Sequence, residues 1–156
     1  MKFKDQKKNF INISNNKNKI IKIKTPKLKC PFGIEEEYNK YLVKLELTNL
    51  NKNLEIKEFY EKLQEYIKEI QEYMKDSNLI YSDFIRYSDK YDPLVKFFLP
   101  VRYDKFEVDF YKNGDLTTFK DINKNDILEL DLELLSIWKF KNKYGLNFKL
   151  KKIFIS

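Results

Sequence analysis

Histidine is absent from the 156 residues. Its absence excludes every His-based catalytic triad, His metal ligand and His general base. The single cysteine, Cys30, rules out an internal disulfide and a thiolate zinc site, and fits a reducing compartment. Glycine occurs only at 33, 114 and 145, too sparsely for a phosphate-cradling loop. No run of eighteen apolar residues is present, so no membrane span is expected. The lysine-rich N-terminus lacks the apolar segment of a secretory signal. No cofactor and no metal site are expected. An enzyme built from this chain would have to work through carboxylates, lysine or tyrosine.

Lysine is abundant and unevenly placed. The formal charge is +7. Residues 1–29 carry ten lysines and one acid, Asp5, and residues 139–152 carry six lysines and no acid. The stretch between them is therefore net acidic, near −8. Basic segments attract polyanions such as nucleic acid. The abundance of Lys, Asn and Ile also fits an A+T-rich genome.

Residues 1–18 read as a basic flexible arm or a loose first strand, and 19–156 as one domain. The strongest periodicity predicts a helix over 54–74. Ile56, Phe59, Leu63, Ile67, Ile70 and Met74 make one apolar stripe, with Asn53 as N-cap. Glu58, Glu61, Glu65, Glu69 and Glu72 face away from it. Period-two alternation predicts strands at 19–24, 41–47, 94–99, 106–110, 116–119, 127–140 and 146–155. Asn113-Gly114 reads as a tight hairpin turn. The 82–87 stretch reads as a short helix and Tyr144-Gly145 as a turn. The phase of the long strand breaks at Leu134–Leu135, the mark of a bulge or strong bend, and that of the last strand slips at Lys151–Lys152. The fold expected is mainly β: an OB-like antiparallel barrel of five to seven strands, capped by helix 54–74.

Two segments carry a family resemblance, KCPFGIEEEYNKYLVKLEL at 29–47 and SIWKFKNKYGLNFKLKKIFI at 136–155, with the connector SDKYDPLVKFFLP at 88–100. Together they resemble single-stranded-DNA-binding proteins of the giant DNA viruses of eukaryotes. That family is distantly similar to phage replication single-strand-binding proteins with an OB barrel. The resemblance implies a non-enzymatic protein acting in viral DNA replication, recombination or repair. It places the protein at an intracellular replication site in the host cytoplasm or packaged in the virion. Single-stranded DNA is the implied partner, with RNA, self-association and replication proteins as further partners. The phage proteins end in an acidic tail that recruits replication enzymes, whereas no acid follows Glu133 here.

Single-strand binding needs cations along the backbone and aromatic faces for the bases. The candidates are Lys22, Lys24, Lys27, Lys29, Lys96, Arg102, Tyr103, Trp138, Lys139, Lys141, Lys143, Tyr144 and Lys149. Strict alternation puts Trp138 and Phe140 on one face and Lys139, Lys141 and Lys143 on the other. It leaves open whether the two rings continue the buried leucine face. Tyr144 is expected exposed in its turn, meeting Arg102, Tyr103, Lys141 and Lys143 in one groove. A protein-interaction module is the alternative. A metal-dependent nuclease built on Glu35–Glu37 or on Asp104, Glu107 and Asp109 is the third reading.

Overall fold

The computed structural model describes residues 1–7 and 9–156. Before the helix come β1 (Lys2–Lys7), β2 (Phe10–Ser14), β3 (Ile21–Lys24), β4 (Leu28–Cys30), β5 (Ile34–Glu37) and β6 (Lys40–Glu46). Helix α1 spans Leu54–Tyr73. Then follow β7 (Ile80–Tyr81), β8 (Ile85–Arg86), β9 (Leu94–Leu99), β10 (Val101–Arg102), β11 (Lys105–Phe106), β12 (Asp109–Lys112) and β13 (Asp115–Thr117). A 3-10 turn at Phe119–Asp121 leads to β14 (Asp126–Phe140) and β15 (Lys143–Ile155).

The leucine alternation makes β14 the spine. Leu128, Leu130, Leu132 and Leu134 are all buried. One edge of β14 ladders to β15 from Leu128 to Phe140. Its other edge takes three short strands in succession: β4 at 126–128, β3 at 131–134 and β2 at 136–138. From β4 the sheet continues through β6 and β9 to β8, and from β15 through β12 to β13. Phe97 of β9 and Phe148 of β15 meet edge to face at 5.3 Å, so the sheet curls until distant strands touch. No ladder joins β9 to β15 among the described residues. Residues 80–86 span the gap, with β7 on β15 and β8 on β9.

Helix α1 forms as its stripe predicts. Asn53 accepts from the Ile56 amide at 3.1 Å, satisfying one of the orphan donors of the first turn. Ile56, Phe59, Leu63, Ile67 and Ile70 are buried and join the same core as the β14 leucines.

Four expectations need correction. Among the described residues the sheet holds thirteen strands, with two more in a separate ribbon; strands of two or three residues are too short to show alternation, and β1 and β2 lie in a polar stretch with few apolar residues. It is not wholly antiparallel, since β12 and β7 each run parallel to β15. The 82–87 stretch is not helical: main-chain bonds draw it out between β15 and β9. Residues 1–18 are no free arm. Strands β1 and β2 form a hairpin whose Ile11 and Ile13 are buried, and Phe3 stacks on Tyr73 at 4.2 Å. Position 8 of that stretch lies outside the described residues.

Candidate nucleic-acid interface

The decisive local feature is one extra residue. Leu134 pairs with Phe148 and Ser136 with Asn147, leaving Leu135 unopposed as a bulge. A bulge shifts the alternation by one, so every later side chain changes face. Before it, even-numbered residues point into the core. After it, Ile137 points inward and is fully buried. Trp138 and Phe140 turn outward, and Phe140 is 67% exposed. The break at Leu134–Leu135 is legible in the sequence, but the register with β15 is what shows that both rings face outward beyond it.

Opposed residues in an antiparallel ladder share a face. Trp138 faces Phe10 on one side and Gly145 on the other, and Phe140 faces Lys143. Gly145 is not in a turn. The Trp138 indole lies over it, with Cζ2 2.6 Å from where a Cβ would stand. The actual turn is Lys141-Asn142, where Lys141 takes the left-handed conformation (φ 55°). Its ammonium sits 5.4 Å from the Phe140 ring centre. The outward row thus combines three aromatic rings with Lys141 and Lys143.

The same face gathers cations from both chain ends. Lys22 and Lys149 stand opposite Glu133, and Lys24 and Lys152 opposite Asp131. Lys24 reaches Asp131 at 4.0 Å. Lys4 stands opposite Asn12, which in turn faces Ser136. Beside the bulge is a hollow of about 780 Å³ bordered by Lys2, Lys4, Asn12, Ser14, Asn18 and Leu135, without a carboxylate. Lys2, Lys4 and Phe10 carry no individual sequence signal, and only the β1–β2 hairpin places them here. The two basic segments, remote in sequence, flank one strand.

The chain folds like a phage protein. Its structure is similar to that of gp2.5, a single-stranded DNA binding protein encoded by bacteriophage T7, with a TM-score of 0.55 and 13% sequence identity. The match covers 87% of this chain and 86% of that chain. No protein-family model and no curated protein sequence matches the chain. At this identity the likeness to gp2.5 is one of fold.

Within the gp2.5-like fold the remaining candidates disperse. Tyr144 is only 4% exposed and packs on Tyr81 at 5.6 Å. Burial raises both phenol pKa values. Tyr144 belongs to the core because Lys139, its opposite residue, stands in phase with buried Ile137. Arg102 and Tyr103 form the tip of the β10–β11 hairpin, where Tyr103 and Asp104 both have positive φ. The Arg102 guanidinium lies 5.2 Å from the Tyr103 ring and 3.6 Å from Glu107. That hairpin does not meet Lys141, Lys143 or Tyr144. Phe106 touches Phe110, which pairs with Ile153, and Ile153 is ten residues along β15 from Lys143. At about 3.3 Å per residue that is about 30 Å. Lys27 is exposed between β3 and β4, Lys29 stands opposite Glu46 and Ile127, and Lys96 lies on β9. Among the described residues, no three Cys, Asp or Glu side chains gather where they could hold a metal ion. Among the described residues, no helix is long and apolar enough to cross a membrane.

Proposed function

We propose that the protein binds single-stranded DNA, without catalysing a reaction, through the outward face of β1, β2, β3, β14 and β15. One observation carries the reading: the Leu135 bulge turns Trp138 and Phe140 out of the core onto the face where the lysines of both chain ends meet. Base–aromatic stacking is worth roughly 1–3 kcal/mol per base, and lysines along the backbone supply affinity that is independent of sequence. The gp2.5-like fold supports the same reading. We also propose an OB-type barrel, a circuit of β4, β6, β9, β15 and β14 in which residues 80–86 span the step from β9 to β15. The placement among giant-virus single-strand-binding proteins, in replication, recombination or repair, rests on residues 29–47, 88–100 and 136–155.

Fluorescence anisotropy with labelled oligo-dT at two salt concentrations tests the proposal. The parent should bind, and more weakly at higher salt. Trp138→Ala should lose roughly 1–3 kcal/mol of binding with the salt slope retained. Lys143→Gln should lower the slope by about 0.7, the increment for one phosphate contact on a single strand. No binding by the parent, or parent-like binding by both variants, would sink the proposal. Shortened oligonucleotide on addition of magnesium or manganese would favour the nuclease reading instead.

A further inference from the structure

A second pair of solvent-facing rings lies on the outer side of β6 and its neighbours. Phe98 of β9 is 43% exposed, and Phe32, just before β5, is 46% exposed. Each carries a cation over its ring. Lys40 and Lys96 stand 5.5 and 5.3 Å from the Phe98 centre, and Lys44 stands 5.7 Å from that of Phe32. Lys44 and Lys96 are cross-strand neighbours, as are Leu42 and Phe98. Lys44 also reaches Glu35 at 3.5 Å and Lys96 reaches Glu37 at 3.6 Å. These carboxylates leave the patch only weakly positive.

The ladders connect this patch to the Trp138 face. Along the β14 edge, Phe10, Lys22, Lys24 and Lys29 stand opposite residues 138, 133, 131 and 127. Lys29 then pairs with Glu46, and Leu42 is four residues further along β6. Counting about 3.3 Å per residue, the path follows the curved sheet for about 45 Å. Its middle carries Lys22, Lys24, Lys29, Lys149 and Lys152, set opposite Glu133, Asp131 and Glu46.

We propose that Phe32 and Phe98, with Lys40, Lys44 and Lys96, form a second contact site for the same DNA strand, joined to the Trp138 site by Lys22, Lys24 and Lys29. This rests on the single-strand-binding reading above. A patch paired with Glu35 and Glu37 is weak alone. A strand already held at Trp138 presents its next nucleotides at high effective concentration, so the weak patch contributes only to long ligands. Affinity therefore rises steeply with length once the strand spans both patches, within the roughly 4–16 nucleotides one such domain covers.

The test compares dT4 with dT16 on the full chain, read by anisotropy and by quenching of Trp138, the sole tryptophan. The parent should prefer dT16 by far more than the larger number of binding registers accounts for. The variant Phe32→Ala/Phe98→Ala should lose about fivefold or more in dT16 affinity, the low end of stacking on one ring, while dT4 still quenches Trp138. Lys40→Gln/Lys96→Gln, which removes charge and leaves both rings, should lower the salt slope for dT16 by about 1.4 and leave that for dT4 unchanged. Parent-like dT16 affinity in the ring variant, or an unchanged dT16 slope in the charge variant, would overturn the second site and leave the first standing. No binding of either oligonucleotide by the parent would instead overturn the reading on which it rests.

Discussion

Gly145→Ala places a methyl group where Trp138 already lies. The new carbon would stand 2.6 Å from Cζ2 and 2.7 Å from Cε2 and Nε1 of the indole. Comfortable carbon contacts are about 3.5–4.0 Å, so the ring must retreat by about 1 Å. Trp138 is half-buried on the outward face. Relief therefore comes from lifting the indole toward solvent rather than from moving the backbone. Overpacking of this kind costs about 1–3 kcal/mol, and the low end applies because the ring has somewhere to go. Replacing glycine within a strand returns part of that by restricting the unfolded chain. A net loss of about 1 kcal/mol is expected in urea unfolding. Trp138 is the only tryptophan, so the lifted ring should report itself as a red shift of native emission. In a Trp138→Ala background the same methyl meets no indole, and Gly145→Ala should then be neutral or stabilising. Adding the two single costs would therefore overestimate that of the double variant, by about 1 kcal/mol or more. A Gly145→Ala protein with parent stability and unshifted emission would refute the packing of indole on glycine.

Phe59→Ala should cost roughly 3–5 kcal/mol in chemical denaturation, since its ring is buried in the α1 stripe; a loss below about 1 kcal/mol would mean the stripe is not packed. Tyr144→Ala should act on stability rather than on stacking, by a similar 3–5 kcal/mol, and a stable variant with weakened DNA binding would place that ring at the surface instead. Deleting residues 1–14 should destabilise the domain by more than about 3 kcal/mol, because Ile11 and Ile13 leave the core; unchanged thermal stability would restore the picture of a loose arm. Burial pushes the Cys30 thiol from its ordinary 9.0 up to about 11. The folded chain then holds this proton more tightly than the unfolded chain does. Stability is intact below about pH 8.5 and falls as pH rises toward 11, by on the order of 2–3 kcal/mol. Tyr81 and Tyr87, raised chiefly by burial, add a loss of the same sign above pH 10. Cys30→Ala should flatten the curve between pH 9 and 11, and an unaltered alkaline limb would show that the thiol titrates normally.

Periodicity was enough for the helix, its Asn53 cap, the Leu94–Leu99 strand between two prolines and the Asn113-Gly114 turn. In each, the deciding interactions lie within a few residues, where spacing reports them directly. The two breaks in β14 and β15 were legible for the same reason. Leu135 and Lys151 are the residues left over when a strict alternation meets its partner strand. The composition also contained the charge asymmetry, basic at both ends and acidic between.

Several assignments depended on partners far away in the chain. The polar stretch 1–14 forms a hairpin because β14 offers a ladder edge and Ile11 and Ile13 a core to enter. Residues 80–86 are drawn out by β15 and β9, although 82–87 reads locally as helix. Gly145 looks like a turn residue until the indole across the ladder accounts for it. The candidate site divides along the same line. Residue type alone nominated Lys22, Lys24, Trp138, Lys143 and Lys149, because cations and aromatic faces are what a single strand requires. That these five share one face, and that Arg102, Tyr103 and Tyr144 do not join them, was decided by register. A strand's alternation defines two faces but does not say which one meets the core. Only the partner strands, with one bulge between them, send Ile137 inward and Trp138 out.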